Sequence, residues 1–321
     1  MGEYSLARYS RRQLAKLAAA ATSFLALSKR SGFAGGVGTQ TNTETKLSFL
    51  AVGDWGQRGS KPQKEVAAAM TQIANQRAPK FIISLGDNFY PDGVVSAADE
   101  HWQQSFESVY SSASLQVPWY PVLGNHDRKG VAMAQVAYSQ LSSRWRMPSA
   151  YYWRNESLPG GTGIDFFFLD TNLIIADHAG IHAIFAGDKA NDQITWLDQA
   201  LAASMAHWKI VIGHHPVYSG GPYGSTPELL AVLKPILDRH HVHAYLAGHE
   251  HNMQHLVVDG IHYLTCGAGA TLRPSGHTNY TVFSKECLGF LEASVTAHSL
   301  DISFRDSAGT VLHTASLSRP A

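Results

Sequence analysis

From Lys46 onward, short unbroken runs of apolar, β-prone residues keep ending in a polar cluster introduced by glycine. Leu47–Val52 runs into Gly53-Asp-Trp-Gly, Phe81–Leu85 into Gly86-Asp-Asn-Phe-Tyr, and Trp119–Leu123 into Gly124-Asn-His-Asp. Ile210–Ile212 leads to Gly213-His-His-Pro and His243–Ala247 to Gly248-His-Glu-His, while Phe166–Leu169 before Asp170 is a further strand. Runs that are apolar at every position suit strands buried on both faces. Between them, Gln63–Arg77, Asp99–Ser112, Asp192–Met205 and Pro227–Arg239 carry apolar residues at helical spacing, which predicts helices. Strands alternating with helices predict an α/β sheet with helices packed outside it. The tail changes rhythm: His262–Thr265, Gly289–Val295, His298–Arg305 and Thr310–Leu317 alternate like antiparallel strands, with Asp306–Gly309 as a turn. They predict a mostly antiparallel β layer packed on the first sheet. Ligand sites in α/β sheets gather beyond the carboxyl ends of strands, and all five glycine-led clusters sit there.

Composition supports one folded body. The 321 residues are 45% hydrophobic and 16% charged, enough for a sizeable core and too little charge for a disordered chain. No run of about 18 apolar residues follows the N-terminus, so the body is not a helical membrane protein. The chain balances 25 basic against 25 acidic residues, but residues 1–40 hold six basic residues and one acid. The rest is therefore mildly acidic, which argues against nucleic-acid binding. Ser10–Lys16 is basic, Leu17–Leu27 is an apolar, Ala-rich run, and small residues follow. That layout predicts an export signal over 1–34 and a linker over 35–45. Arg11 and Arg12 resemble a twin-arginine signal, so the expected location is exported, periplasmic or secreted. An amphipathic first helix or a basic organellar transit segment is the alternative reading. No clean Ala-x-Ala cleavage site is present, and no stable membrane span is expected once the signal is removed. Cys266 and Cys287 are too few for a thiolate zinc site; export would permit a disulfide between them, and two reduced cysteines are the other reading.

Histidine is over-represented at 17 residues, and ten of them lie between His207 and His262. Together the clusters offer Asp54, Asp87, Tyr90, Asn125, His126, His214, His215, His249 and His251. This oxygen and imidazole set without sulfur suits iron, manganese or zinc. It is also too large for one tetrahedral site, so it points to two ions sharing a carboxylate and acting on phosphoryl oxygens. In an extended chain, His249 and His251 at i and i+2 place both rings on one side, each able to serve one ion.

The ordered clusters resemble the metallophosphoesterase superfamily, and more narrowly the small purple acid phosphatases of the tartrate-resistant type. Most of that superfamily carries Asp-x-His in the first cluster. Here Asp54-Trp-Gly56 has no histidine there, and Tyr90 stands three residues after Asp87 instead. The match runs from about residue 46 to 275, and Gly267–Pro274 also resembles small bacterial relatives. The resemblance implies a metallophosphatase-type two-sheet sandwich flanked by helices, one domain over 46–321. It implies Asp54, Tyr90 and His251 as ligands of Fe(III), with Asn125, His214 and His249 holding a divalent iron, zinc or manganese ion. Asp87 would bridge the two. The implied activity is acid hydrolysis of small phosphate monoesters by metal-bound hydroxide. His126, and more weakly His215, would steady the phosphoryl oxygens or protonate the leaving alkoxide.

Other residues read more plainly. Trp55 and Phe89 pack the rim, Asp127 orients a histidine, and Asp92 and Asp170 are loop and strand-end residues. His240, His241 and His243 lie away from the clusters. No phosphate loop and no nucleophile elbow is present, so nucleotide-loop and serine-hydrolase chemistry lack support. Two alternatives stay open on sequence: a metallophosphodiesterase acting on nucleotides or lipids, and a non-hydrolytic metal- or phosphate-binding protein.

Overall fold

Side chains on an extended strand alternate between faces, and that period of two divides the apolar runs between two cores. Phe166, Phe168, Ile210, Ile212 and Leu246 belong to one buried cluster, whereas Phe167, Leu169, Val211, Tyr245 and Ala247 belong to the other. The computed structural model describes residues 46–158, 162–178 and 190–318. The predicted export segment and linker lie outside the described residues. No helix among the described residues is long and apolar enough to cross a membrane.

The first sheet begins with three parallel strands: β1 (Leu47–Val52), β2 (Phe81–Ser84) and β3 (Trp119–Pro121). The helix α1 (Lys61–Arg77) connects β1 to β2, with a proline in its first turn. It buries Val66, Met70 and Ile73, and ends where Ala78 turns left-handed and donates its N–H to the Ala74 carbonyl. The short α2 (Met133–Tyr138) follows β3. The second sheet holds the edge strand β4 (Tyr152–Ser157), then β5 (Gly163–Phe168), β6 (Trp208–Ile212) and β7 (Ala244–Ala247). Packed along its chain path are α3 (Thr171–His178), α4 (Ala190–Ala203), α5 (Pro227–Val232) and α6 (Lys234–Arg239). The sheet is completed by β8 (Met253–Val258), β9 (Ile261–Cys266) and β10 (Thr281–Lys285). Finally β11 (Gly289–Val295), β12 (Ser299–Asp306) and β13 (Val311–Ser318) return to the first sheet.

The two sheets therefore have six strands in the order β13-β12-β11-β1-β2-β3 and seven in the order β10-β8-β9-β7-β6-β5-β4. Their inner faces meet through aromatic rings: Phe166 stands edge-on to Phe49 at 5.5 Å and to Phe81 at 5.4 Å. This is the expected two-sheet α/β sandwich with helices on the outside.

Three details differ from the expectation, and a fourth decides between two readings left open. Of the tail strands, β11, β12 and β13 are antiparallel but form no separate layer: β11 pairs with the free edge of β1, Phe49 opposite Ala293, and so extends the first sheet, whereas His262–Thr265 lies in β9, which runs parallel to β7 in the second. Pairing satisfies the open N–H and C=O groups of that edge. Asp99–Ser112 is helical over residues 100–107 only, and widens to a π-helix over Trp102–Glu107. Pro227–Arg239 is two short helices, split where Pro235 enters the first turn of the second and can donate no N–H. Cys266 and Cys287 are free thiols, the first fully buried.

Candidate metal centre

All the parallel strands point their carboxyl ends toward one rim. Asp54 follows β1, Asp87 and Tyr90 follow β2, and Asn125 and His126 follow β3. From the other sheet, His214 and His215 follow β6, and His249 and His251 follow β7. The chain must turn sharply there. Asp54, Asp87, His249 and His251 all have positive φ, between 46° and 70°, a region that costs an ordinary residue free energy and clusters at functional sites. His249 and His251 are thus not side by side on an extended chain as their spacing suggests; two left-handed turns aim their rings. Space is equally tight. A Cβ at Gly124 would sit 2.1 Å from Asp87 Oδ1, and one at Gly248 would sit 2.5 Å from Asp54 Oδ2.

Seven of the predicted residues converge as two groups about one carboxylate. In the first, the Tyr90 hydroxyl lies 3.0 Å from Asp54 Oδ1 and 3.0 Å from His251 Nε2, and His251 Nε2 is 3.2 Å from Asp54 Oδ1. In the second, Asn125 Oδ1 is 3.1 Å from both His214 Nε2 and His249 Nδ1, which are 3.3 Å apart. Asp87 Oδ2 stands between them, 2.7 Å from the Tyr90 hydroxyl and 3.6 Å from His214 Nε2.

The donor set fits cations. The Tyr90 hydroxyl has one proton for three neighbours that can all accept it. Burial, then the charges of Asp54 and Asp87, push its pKa well above the ordinary phenol value. Bringing a phenolate into this place therefore calls for compensating positive charge. Burial opposes the charged form of His214, but Asp87 and Asp54 outweigh it and its pKa rises. His249 is driven the other way by burial and then by His215, His214 and Arg273. A neutral imidazole beside a carboxylate cluster is a ready cation ligand.

The remaining predicted residues divide. His126 donates its backbone N–H to Asp87 Oδ1 at 2.8 Å, and its ring packs 4.5 Å from that of Tyr90. Its Nδ1 lies in hydrogen-bond contact with the Pro91 carbonyl and 3.2 Å from Lys129 Nζ, one an acceptor and the other a donor. His215 packs 4.5 Å from the His249 ring, and its Nδ1 is 2.8 Å from the Thr171 hydroxyl. Burial, then His214, hold it well below the usual imidazole range. Trp55 and Phe89 are fully buried; Trp55 meets Tyr110 edge-on at 5.3 Å and donates its indole N–H to Ser84 Oγ at 2.7 Å.

One reading is corrected and one is extended. Asp127 orients no histidine: its carboxylate accepts the backbone N–H of Gly124 at 2.8 Å and of Asn88 at 3.1 Å, so it clamps the loops that present Asn125 and Asp87. Burial, then the charge of Asp87, raise its pKa to about 7. Asp170 is buried and ion-paired with Arg128, more than a strand-end residue. Sequence reasoning also passed over Arg273 and Tyr223 at the same rim. Tyr223 stacks on His249 at 4.6 Å, and the Arg273 guanidinium lies 4.5 Å over the Tyr223 ring. Arg273 follows the carboxyl end of β9, so the rule that located the predicted ligands reaches it too.

Residues 47–253 match the calcineurin-like phosphoesterase family. Purple acid phosphatase 3 of Arabidopsis thaliana is 37% identical over 293 residues, covering 85% of this chain and 78% of the relative. The chain belongs to the purple acid phosphatase family. Tartrate-resistant acid phosphatase type 5 of Sus scrofa, another purple acid phosphatase relative, is 35% identical over 318 residues, 89% of this chain and 92% of that one. Among solved structures, GAP50, described as the anchor in the inner membrane complex of Plasmodium, superposes with a TM-score of 0.77 at 26% identity. The match covers 86% of this chain and 90% of that one. Purple acid phosphatase PPD1 of yellow lupin shares the fold, with a TM-score of 0.67 at 16% identity over 86% of this chain and 54% of its own. Purple acid phosphatases are metal-dependent phosphoric monoester hydrolases, and this chain is an enzyme of that class.

Proposed function

We propose that the protein is an acid phosphatase whose centre pairs Fe(III) with a divalent iron, zinc or manganese ion. Asp54, Tyr90 and His251 would hold the ferric ion, Asn125, His214 and His249 the divalent one, and Asp87 would bridge them. The observation that carries this reading is the division of seven side chains into two triads on either side of the Asp87 carboxylate. A phenolate and two carboxylates favour a hard trivalent ion on one side; an amide oxygen and two imidazoles favour a borderline divalent ion on the other. When bound, such a pair lowers the pKa of a water and neutralises phosphoryl charge.

The protein's own groups do the rest. The Asp87 backbone and carboxylate are fixed by His126 N–H and, through Asn88, by Asp127. His126, whose ring packs against Tyr90, would hold a proton and release it to the leaving alkoxide. His215, fastened by Thr171 and the His249 ring, walls the site and stays neutral. Neither the diesterase nor the non-hydrolytic alternative gains an observation over this reading. Metal analysis with a visible spectrum tests it: two metals per chain with a tyrosinate-to-iron band support it, and one metal or no band refutes the iron assignment. Turnover of p-nitrophenyl phosphate against its diester decides between monoesterase and diesterase. The proposed route out of the cytoplasm is the twin-arginine pathway; replacing Arg11 and Arg12 with lysine should leave the protein inside the cell.

A further inference from the structure

A buried polar chain runs beneath the rim and passes beside predicted ligands of both ions. It starts at Trp55, next to Asp54, whose indole N–H donates to Ser84 Oγ at 2.7 Å. The Ser84 hydroxyl donates in turn to Oδ1 of Asn88, next to Asp87. Asn88 Nδ2 donates to the Val122 carbonyl at 2.9 Å, to Gln135 Oε1 at 3.0 Å and to Asp127 Oδ2 at 3.2 Å. Gln135 closes a triangle, because its Nε2 donates to Asp127 Oδ1 at 2.8 Å. Trp55, Ser84, Asn88, Asp127 and Gln135 are all fully buried.

Gln135 is the member of that triangle that lies outside every ligand cluster. It is buried on α2, and its backbone carbonyl accepts the Trp145 indole N–H at 3.0 Å. An apolar side chain would be the simpler choice for a helix packed on a core, since a buried amide must find a partner at each end. Here both ends are used, one on the loop after β2 and the other on the loop after β3. Those two loops present Asp87 and Asn125. Three side chains that satisfy one another in a dry interior form a rigid unit. Neither Asn88 nor Asp127 can shift without giving up a bond to Gln135. The gap fixed in this way separates the Asp87 carboxylate from the Asn125 amide, both predicted to hold the divalent ion.

We propose that Gln135 is a positioning residue of the metal centre: by bridging Asn88 and Asp127 it holds the Asp87 and Asn125 side chains at the spacing a divalent ion requires. This inference rests on the reading of those side chains as part of a two-ion centre. The test titrates the full chain, stripped of metal, with Zn(II) against a chromophoric chelator in wild type, Gln135→Met, Ser84→Ala and Val295→Ala. Methionine keeps the length of the side chain and makes neither bond, and Ser84→Ala cuts the same polar chain on the other side of Asn88. Val295, buried opposite Leu47 at the far end of β1, controls for lost stability alone. The weaker zinc site is expected to lose about tenfold in affinity in Gln135→Met, less in Ser84→Ala, and nothing in Val295→Ala. In turnover of p-nitrophenyl phosphate, the Zn(II) concentration for half-maximal rate should rise by the same factor in Gln135→Met while KM for the ester holds. A folding defect would instead lower the rate at every zinc concentration and leave half-saturation in place. Affinity within about twofold of wild type in Gln135→Met overturns the proposal, and Ser84→Ala is held to the same criterion if the first variant does not fold. A wild type that bound only one zinc ion would refute the two-ion reading, and the change in affinity for that ion would still decide the role of Gln135.

Discussion

Acidification should weaken this fold at a site remote in sequence from most of the ligand clusters, the histidine chain His313–His255–His262. His255 on β8 contacts His313 Nε2 of β13 through Nδ1 at 3.0 Å and His262 Nδ1 of β9 through Nε2 at 2.9 Å. The chain ties the two sheets, because β13 belongs to the first and β8 and β9 to the second. Burial, then the neighbouring His262 and His313, lower the pKa of His255 to about 3. An unfolded histidine titrates near 6.5. Its folded pKa is the lower of the two, so the unfolded chain takes up the proton first. Stability is full above about pH 6.5 and falls as the pH drops toward about 3. At pH 5 the unfolded imidazole is about 1.5 units past its midpoint while the folded one is still neutral, a loss of about 2 kcal/mol. For a protein of this size that is roughly 4–8 °C in melting temperature. The assay is thermal unfolding at pH 8 and pH 5 of wild type and His255→Gln, whose amide can still bridge both neighbours. Since the metal centre is the same in both proteins, the difference of differences isolates His255. The variant should lose about 2 kcal/mol less than wild type between the two pH values. An equal loss in both proteins would refute the reasoning.

Three further perturbations have expected outcomes. Asp87→Ala should bind neither ion, read by metal analysis; two retained metals would defeat the bridging assignment. Tyr90→Phe should abolish the visible band and keep measurable turnover, since Asp54, His251 and Asp87 stay in place. Trp55→Ala should destabilise the protein by about 3–5 kcal/mol in chemical unfolding, because a fully buried indole packed against Phe89, Phe106, Tyr110, Trp119 and Trp145 leaves a cavity. A loss below about 1 kcal/mol would show that the cluster collapses to fill the gap.

The sequence by itself determined which clusters meet at the rim and that each follows the carboxyl end of a strand. A strand that must be buried on both faces announces itself as an unbroken apolar run, and the glycine after it marks where the chain leaves the sheet. Those signals are local, so the clusters holding Asp54, Asp87, Tyr90, Asn125, His126, His214, His215, His249 and His251 were legible before any coordinates, and the family resemblance singled out seven of them as ligands. The tertiary structure decided what depends on distance in sequence. The left-handed turns that aim Asp54, Asp87, His249 and His251 are enforced by packing, because isolated non-glycine residues avoid that region. Whether β11 made a new layer or extended the first sheet depended on the free edge of β1, which no tail residue encodes. Asp127 looks like a histidine's partner in sequence and becomes a loop clamp only because Gly124 and Asn88 N–H groups converge on it. His255 and His313 lie 58 positions apart, as do His215 and Arg273; only closure of the sandwich and of the rim decides which of these distant pairs share a site.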